Sequence, residues 1–356
     1  MSIGARSPRR SLTIVSHRIS HHAAHSGYDS VVAPLVDAIP GTRWVAWGDV
    51  RSALPARVLH RAARLNAASW YTADALAAEL HVTPELVRSR EAVVHFLYGD
   101  DEYFSTGFWP RRGRVVATFH QPPASFADSG PSRRSIQRLD DVVVVGSNQL
   151  DYFSEMLGGE AVHHVPHGVD VDFFSPAANG HETPRSQGVC LFVGQWLRDA
   201  ETLSRVVRDL RSTRPSVKVR AVTTDAVRSV IGDTPNVTYL HGLDDDELRR
   251  EYRAADVLLM PLKDCTANCA VVEALACGLP VVATDVGGIR DYVDDSCGVL
   301  VPPRDAAAMT EAALALLDDE TDRIALAEGA RQRGLELDWR LIVRRLTQVY
   351  SRIGRT

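Results

Sequence analysis

Short apolar runs alternate with amphipathic stretches along most of the chain. In the first half these runs are rich in β-branched residues and are bounded by polar or turn residues, which is typical of buried strands. Alternation of strands and helices predicts a parallel sheet that is covered by helices on both faces. The apolar runs are SLTIVS at 11–16, TRWVAWG at 42–48, EAVVHFLYG at 91–99, GRVVATFHQ at 113–121 and DDVVVVGS at 140–147. The amphipathic stretches predict helices at 27–39, 54–68, 72–80 and 149–158.

The pattern stops at 174–188 and then begins again. This stretch holds Pro, Gly, Asn and Ser with few apolar residues, so we predict a linker there. The second alternation, together with a length of 356 residues, favours two domains. We predict an α/β protein with two doubly wound, Rossmann-like domains facing each other across a cleft, at 1–178 and 179–337. The second set of strands is predicted around 189–194, 217–224, 237–242, 256–261, 280–288 and 298–303, with helices at 199–212, 245–254 and 305–318.

Charge and cysteine content exclude several classes of protein. The net charge is −5, so no overall basic field indicates a nucleic-acid partner. No apolar run reaches the roughly 18 residues of a membrane span, and the apolar run after the basic start is too short for a secretion signal. We therefore predict an unprocessed cytoplasmic protein. An odd number of cysteines, five, argues against a disulfide framework and favours buried thiols.

The segment from Asn268 to Gly288 reads as buried core except for one carboxylate, Glu273. Asn268 is a good N-cap and Gly278 a good helix stop, so a helix is predicted between them. Its start follows a buried strand, where ligands bind in open α/β sheets. Free N–H groups at Ala267, Asn268 and Cys269, aided by the helix dipole, would bind a diphosphate. Glu273 would accept hydrogen bonds from ribose hydroxyls, the alternative being an ordinary, partly exposed helical glutamate.

Several motifs together resemble the retaining family-4 glycosyltransferases, the glycosyl transferases group 1, which have the GT-B fold. The resemblance covers nearly the whole chain and implies a nucleotide-sugar site in the second domain, with ribose on Glu273 and diphosphate at Ala267 and Asn268. It also implies a terminal helix, about 338–356, that returns to the first domain. The matching stretches are VATFHQPP at 116–123, VHHVPHGVDVDFFSP at 162–176, VTYLHGLDDDELRREYRAADVLLMP at 237–261, VVEALACGLPVVATDVGG at 271–288, GVLVPPRD at 298–305 and LDWRLIVRRLTQVYSRI at 337–353.

Two positions depart from the pattern of this family. Gln195 follows Gly194 where an arginine is usual, which leaves Arg198 as the candidate phosphate clamp; the alternative is an exposed arginine at a helix start. Cys265 stands where the family has a glutamate close to the donor sugar. Contact with the sugar would then come from Asp264, from the loop that includes Thr266, or from neither.

The resemblance also implies roles for residues of the first domain. His120, at the end of a strand, would lie beside the transferring sugar, the alternative being a histidine that only caps the strand. Gly27 would allow the backbone to approach the diphosphate closely. Four histidines within 17–25 suggest a metal, but no completing ligands are evident, so we predict none. The residues expected to face the cleft near the acceptor are His21, His22, His25, Ser26, Tyr28 and Asp29.

The implied reaction moves a sugar from a UDP- or GDP-sugar to an acceptor hydroxyl with retention and without metal or other cofactor. The acceptor is a small molecule, a glycan or a lipid-linked compound. Arg57, Arg61 and Arg64 form one stripe on a predicted helix, which would rest on an anionic membrane or face solvent. Two alternatives stay open at this point: a nucleotide-sugar 2-epimerase of the same fold, and a non-catalytic protein that binds nucleotide sugars.

Overall fold

The computed structural model describes residues 11–18, 24–52, 54–64, 70–126, 130–177 and 188–353. These residues form two compact units. The first contains 11–18, 28–166 and 342–353, with the gaps just given, and the second contains 24–27 and 167–341. The predicted domain boundary at 178/179 and the candidate site residues His21 and His22 lie outside the described residues.

The first unit is built on a six-stranded sheet in which all neighbours run parallel, in the order β2-β1-β3-β4-β5-β6. The predicted alternation is confirmed, because each strand is followed by helical or turn structure before the next begins. The central strands are buried along their whole length, as expected for a sheet covered on both faces. The strands are β1 Ser11–Ser16, β2 Arg43–Ala46, β3 Ala92–Phe96, β4 Arg114–Phe119, β5 Asp141–Val144 and β6 Val162–His164.

Helices of the first unit differ from their predicted bounds mainly in α3. We predicted a helix at 72–80, but α3 continues through Pro84 to Arg88. Val82 and Leu86 are fully buried and extend its apolar face. The packing of these side chains therefore outweighs the missing N–H of Pro84. The helices are α1 Val32–Ala38, α2 Ala56–Ala63, α3 Ala73–Arg88, α4 Gly99–Glu102, α5 Arg133–Ile136 and α6 Leu150–Leu157.

The second unit is also built on a six-stranded parallel sheet, in the order β12-β11-β10-β7-β8-β9. Strand order reverses direction between β10 and β7, which are neighbours in the sheet but not in the chain. This reversal is the topological switch point of a doubly wound sheet. The strands are β7 Val189–Val193, β8 Lys218–Val222, β9 Val237–Leu240, β10 Val257–Met260, β11 Val281–Thr284 and β12 Gly298–Val301.

Helix starts in the second unit follow the capping chemistry expected from the sequence. The acidic run at 244–246 begins the predicted helix at 245–254: Asp244 and Glu247 form a reciprocal capping box. The last helix begins in the second unit and ends, from Ile342 onward, in the first. The helices are α7 Ala200–Thr213, α8 Asp225–Ile231, α9 Asp245–Ala254, α10 Cys269–Ala276, α11 Ala306–Asp318, α12 Glu320–Glu336 and α13 Trp339–Ile353.

Helix α10 lies at the centre of the core of the second unit. Seven of its residues, 270–276, are buried. Its last turn is in close contact with α12, where a Cβ on Gly334 would lie 2.5 Å from Ala276 Cα and 2.6 Å from Ala276 N. Only a glycine at that position lets the two helices approach so closely.

All five cysteines are free thiols, as predicted, and four of them are buried. His95, expected to be a packed strand residue, is fully buried. Its two ring nitrogens bond to the hydroxyls of Tyr350 (2.6 Å) and Thr118 (2.8 Å). In the part of the chain that the structure describes, no helix combines the length and the apolar character needed to cross a bilayer.

Replacing Gly334 by alanine should separate α12 from α10. A new methyl group against the backbone of α10 cannot be relieved by a side-chain rotation, so we expect a loss of about 1–3 kcal/mol in the free energy of unfolding. Thermal unfolding followed by circular dichroism measures it. Gly159→Ala is the matched control, because nothing lies within 4 Å of a Cβ at Gly159. Equal melting temperatures for Gly334→Ala and wild type would show that the two helices are not packed as described.

Candidate functional site

The switch point of the second sheet brings two loops side by side. One follows β7 and includes Gly194 and Arg198; the other follows β10 and runs to the start of α10. They are joined by backbone hydrogen bonds from Asp199 N to Pro261 O and from Lys263 N to Leu197 O, each 2.9 Å. Ligands of open α/β sheets bind at such a place, beyond the carboxyl ends of the strands.

The first residues of α10 keep their amides unused. Asn268 is the N-cap by position, but its side chain does not cap the helix. Its Oδ1 instead accepts a hydrogen bond from Arg198 Nη2 at 3.1 Å. Among the described residues, nothing accepts a hydrogen bond from the backbone N–H groups of Ala267 and Asn268, and that of Cys269 bonds only to its own thiol. These donors and the positive end of the helix dipole favour an anion.

Arg198 lies in the same place without an opposite charge. Its guanidinium donates to Val193 O (3.0 Å), Trp196 O (3.0 Å) and Asn268 Oδ1, all neutral acceptors. No carboxylate of the described residues pairs with it. Burial disfavours the charged form and lowers the pKa of this side chain. The alternative of an exposed helix-start arginine is thus wrong.

Gly194 is required for this position of Arg198. Its φ is +100°, and a Cβ there would lie 2.7 Å from Arg198 Nη2. The chain between them turns through Leu197, whose φ is +57°. That conformation is unfavourable for a residue with a side chain. The loop is therefore strained in the form that places the guanidinium beside α10.

The loop before α10 is held by its own polar groups. Asp264 Oδ1 accepts from Cys265 N at 2.7 Å, and the Cys265 thiol contacts Thr266 O at 3.3 Å. Cys265 and Thr266, placed on the sugar side by the sequence, have buried side chains, so only the backbone of the loop is offered there. Burial raises the pKa of the Cys265 thiol to about 12, so it supplies no negative charge in place of a glutamate. Asp264 is half-buried.

The glycine pair after β11 closes this loop. Gly287 has a φ of +55°, and a Cβ there would lie 2.1 Å from Cys265 O. Gly288 N donates to the same carbonyl oxygen at 2.8 Å. Absence of a side chain at Gly287 is thus what lets the two loops meet.

Glu273 lies one helical turn after Cys269 and is only 4% exposed. It accepts a hydrogen bond from the Tyr252 hydroxyl at 2.8 Å and is also bonded to the Ser26 side chain. Burial nevertheless raises the pKa of Glu273 to about 7, because the two hydroxyls offset only part of the desolvation. The expected alternative, a partly exposed glutamate, is wrong.

Residues 24–27 pack within the second unit. His25 N donates to Asp245 Oδ2, and His25 Nδ1 pairs with Asp170 Oδ2, both at 2.7 Å. The His25 ring is stacked on Phe173 with centroids 3.7 Å apart. We expected His25 and Ser26 to lie with the acceptor-binding residues, whereas the structure places them with Glu273. The physical reason is the set of hydrogen bonds from this segment to the carboxylates of the second unit.

Gly27 and His167 enclose the thiol of Cys269. The Gly27 N–H is bonded to this sulfur, and the φ of Gly27 is +93°. Its expected approach to a diphosphate stays a prediction. His167 Nδ1 donates to Gly168 O at 2.6 Å, which leaves Nε2 as the acceptor that faces Cys269 Sγ at 3.6 Å. Burial lowers the pKa of His167 to about 4, so thiol and imidazole form a neutral pair.

In the first unit, His120 ends β4 and is held in one orientation. Its Nε2 donates to Leu97 O at 2.7 Å, and its backbone N donates to Asp100 Oδ2 at 2.8 Å. The Tyr28 ring packs edge-on against it at 4.6 Å. In the neutral ring Nδ1 is therefore the acceptor nitrogen. A histidine in this orientation can contact a sugar hydroxyl. The same orientation also suits a histidine that only caps the strand.

Tyr28 and Asp29, which we expected to face the cleft near the acceptor, are both buried in the first unit. Asp29 pairs with Arg18 Nε at 3.1 Å, and its backbone N bonds to the Tyr98 hydroxyl at 3.2 Å. Burial raises the pKa of Tyr28 well above its ordinary value. Both residues pack in the turn that follows β1, and their role near an acceptor stays a prediction.

Sequence reasoning missed a polar cluster at the switch point of the first sheet, between β1 and β3. His17 follows β1 directly; its Nδ1 lies 3.0 Å from Glu102 Oε1 and its Nε2 lies 3.6 Å from Asp101 Oδ2. Burial raises the pKa of both carboxyls and lowers that of His17. The sequence position of these residues just after β1 and β3 could have revealed the cluster, because ligands of parallel sheets bind beyond the carboxyl ends of the strands. Within the described ranges, no group of three or more metal-ligating side chains has the geometry of a metal site.

Residues 187–319 match the family model described as glycosyl transferases group 1. The second unit contains a glycosyl transferases group 1 domain. The matched residues include Arg198, α10 and Glu273, whereas Ser26, Gly27 and His167 lie outside the match. The corresponding prediction from the sequence motifs is confirmed for this part of the chain.

Curated relatives carry related names. The phosphatidyl-myo-inositol mannosyltransferase of Mycolicibacterium smegmatis is 28% identical over 255 residues, which are 68% of this chain and 66% of that protein. The D-inositol 3-phosphate glycosyltransferase of Xylanimonas cellulosilytica is 32% identical over 265 residues, 67% of this chain and 60% of that protein. The chain thus spans slightly less than two thirds of the length of these relatives.

Solved structures match the fold over nearly the whole chain. The Anabaena protein HepE, solved in complex with UDP-glucose, superimposes with a TM-score of 0.69 at 13% identity, covering 96% of this chain and 99% of that one. At this identity the likeness concerns the fold. The GT-B fold class predicted from the sequence is confirmed.

The raised pKa of Glu273 predicts how Glu273→Gln changes stability with pH. The unfolded carboxyl ionises near pH 4.5, whereas the folded one stays protonated until about pH 7. The wild type therefore loses stability between these values, and a glutamine, which cannot ionise, does not. We expect the variant to gain about 3 kcal/mol relative to wild type from pH 4.5 to pH 7.5. Urea unfolding at both pH values measures this gain.

Glu311→Gln is the control for that comparison, because Glu311 is exposed on α11 of the same unit. Its stability difference from wild type should not vary with pH. A constant difference for Glu273→Gln as well would show that Glu273 is solvated rather than buried.

Proposed function

We propose that the protein is a retaining, family-4 hexosyltransferase that moves a sugar from a nucleoside-diphosphate donor to an acceptor hydroxyl. The observation that carries this proposal is Arg198, which pairs with no carboxylate of the described residues, beside the two unused amides of Ala267 and Asn268 at the start of α10. Such a set of donors is built for an anion with several oxygens. The family of the domain and the names of its relatives agree with a diphosphate as that anion.

The diphosphate would bind at Arg198, Ala267, Asn268 and Cys269. In the present structure Arg198 Nη2 bonds to a neutral amide oxygen, which a phosphate oxygen can replace with a gain in charge complementarity. Gly194 lies directly under the guanidinium, so a ligand can approach the backbone there. Charge grows on the leaving diphosphate as the glycosidic bond breaks, and these donors stabilise it in the transition state.

Glu273 would bind the ribose of the same nucleotide. It lies one turn into α10, about 6 Å along the axis from the unused amides. A carboxylate offers about four acceptor positions, and Tyr252 and Ser26 occupy two of them. Vicinal hydroxyls would use the others and favour the ionised form, which burial alone disfavours.

The sugar of the donor would lie near Asp264 and the backbone of residues 264–266. Cys265 supplies no carboxylate there, so Asp264 is the acid available in this loop. His120 is proposed to contact the transferring sugar, as the family resemblance implies. No carboxylate is an evident nucleophile, so retention would follow from front-face attack assisted by the departing phosphate. The arginine and the helix dipole take the part that a metal plays in other transferases, so transfer should persist in EDTA.

The proposal includes an acceptor and a cellular location. We propose an acceptor hydroxyl on a small molecule, a glycan or a lipid-linked compound, and include inositol compounds because both relatives are named for them. We propose the cytoplasm as the location. Neither relative is named an epimerase, and nothing in the comparisons supports that alternative.

Nucleotide affinity separates the two halves of the proposed donor site. Arg198→Gln should weaken binding of UDP or GDP by about 10- to 100-fold while leaving uridine or guanosine nearly unaffected, because it removes only contacts with phosphate. Glu273→Ala should weaken both the diphosphate and the nucleoside, because it removes contacts with ribose. Isothermal titration calorimetry with the two nucleotides and their nucleosides provides the measurement and identifies the base.

Arg211→Gln and Glu311→Ala are matched controls, since both residues are exposed on helices of the same unit. Neither should change nucleotide affinity. Unchanged affinity for UDP and GDP in both Arg198→Gln and Glu273→Ala would place the nucleotide elsewhere.

Turnover distinguishes transfer from the two alternatives. With a panel of UDP- and GDP-sugars, a transferase should slowly release UDP or GDP by hydrolysis and release it faster when the right acceptor is added. An epimerase would change the sugar without releasing nucleotide, and a binding protein would do neither. The anomeric configuration of the product, read by proton NMR, tests retention.

A further inference from the structure

Two aromatic side chains protrude from one surface of the first unit. Phe108 is 41% exposed and its neighbour Trp109 is 49% exposed. They end the 3-10 turn Thr106–Phe108, and we refer to residues 104–110 as the aromatic turn. Exposing two large rings in sequence is unfavourable in water and usually marks a surface that binds something.

A buried carboxylate holds the aromatic turn rigid. Glu79 of α3 accepts hydrogen bonds from the backbone N–H groups of Phe104 (2.9 Å), Ser105 (2.8 Å) and Thr106 (3.0 Å), and from the Ser105 hydroxyl (2.6 Å). It also bonds to the Tyr71 hydroxyl. The two rings are therefore presented by a fixed scaffold rather than by a frayed loop.

Arginines surround the two rings without opposite charges. The guanidinium groups of Arg134 and Arg138 lie over the Phe108 ring, 5.5 and 5.8 Å from its centroid. Arg112 and Arg133 are exposed next to them in the chain. No carboxylate of the described residues pairs with any of these four. This surface therefore combines apolar rings with the positive charges of Arg134 and Arg138, and two further exposed arginines are close in the chain, although the chain as a whole is acidic.

Helix α2 packs on the apolar cluster that supports the aromatic turn. Phe108 packs edge-on against Phe104, and Phe104 against Tyr71, with centroids 5.9 and 5.6 Å apart. Tyr71 and Phe104 belong to one small apolar cluster with Leu59 and Ala63 of α2. Leu59 and Ala63 form the buried face of α2, and the exposed Arg57 and Arg61 lie on its opposite face. Arg64, also exposed, follows the last residue of α2. The exposed arginines nearest the aromatic turn in contact or in the chain are Arg112, Arg133, Arg134 and Arg138.

We propose that this surface docks on an anionic lipid bilayer, with Phe108 and Trp109 in the headgroup region and the arginines on lipid phosphates. Amphipathic aromatic rings favour the membrane interface, and arginines pair with anionic headgroups. Charge complementarity decides for the bilayer over a second copy of this chain, because a symmetric contact would bring the same arginines face to face. The proposal does not depend on the proposed transfer reaction, since docking needs no nucleotide.

Co-sedimentation of the full chain with vesicles tests the docking. We expect binding to vesicles of phosphatidylcholine with 30% phosphatidylglycerol, weak binding to phosphatidylcholine alone, and loss of binding as salt is raised. Phe108→Ala/Trp109→Ala should abolish binding, and Arg133→Gln/Arg134→Gln should weaken it about 25-fold, at about fivefold for each arginine.

Matched variants keep the test specific. Trp44→Ala removes another exposed tryptophan of the same unit, and Arg208→Gln/Arg211→Gln removes two exposed arginines of the other unit. Both should bind vesicles like wild type. Trp109→Phe should still bind but lose most of the fluorescence quenching by brominated lipid, whereas Trp44→Phe should keep it.

Three outcomes would overturn the proposal. One is the absence of binding to the anionic vesicles by the wild type. Another is binding that is equal in the variants of the aromatic turn and in their controls. The third is a wild-type dimer that Phe108→Ala/Trp109→Ala converts to monomer in sedimentation velocity without any vesicle binding. Intact nucleotide affinity in the same variants would show that the donor site is independent of this result.

Discussion

The positive charge of Arg198, held among neutral oxygens at the start of α10, is the constraint on which the donor side of the structure depends. The strained loop after β7, the close approach of Gly194 and the unused amides of α10 all serve to keep that charge in place. A half-buried guanidinium without a carboxylate is unfavourable in the empty protein. Its position is explained if the opposite charge arrives with a ligand.

Glu273 is a second ionisable group whose charged form is unfavourable in its buried position, in this case an acid. Tyr252 and Ser26 hold the carboxylate inside the core, but they do not restore its ordinary pKa. A glutamine or an apolar residue would make α10 a more stable part of the core, so the acid is retained at a cost to the fold. Arg198, beside the start of α10, and Glu273, within it, lie within one and a half turns of this helix. The helix must therefore be positioned accurately, and its close contact with Gly334 fixes its position.

The sequence predicted the fold well because periodicity is a local property that survives in the folded chain. The alternation of strands and helices, the capping box at Asp244 and the free cysteines all follow from near neighbours. The pairings of Ser26 with Glu273 and of His25 with Asp170 could not be predicted, because they join residues 247 and 145 positions apart through the folded sheet. The length of α3 was wrong for a related reason: buried packing, which a local pattern does not show, carries the helix through Pro84.

The departures from the family pattern were visible in the sequence, but their solution was not. In the family pattern, the residue after Gly194 would be the phosphate ligand. In this chain that residue is Gln195, whose side chain carries no positive charge. The structure resolves this through the backbone: the left-handed conformations at Gly194 and Leu197 fold the loop back so that Arg198, three positions later, reaches the same helix start. A cation can thus lie at the start of α10 although the residue after Gly194 is not one. For Cys265 the only acid of the loop is Asp264, so this loop carries fewer charged groups than the family pattern predicts.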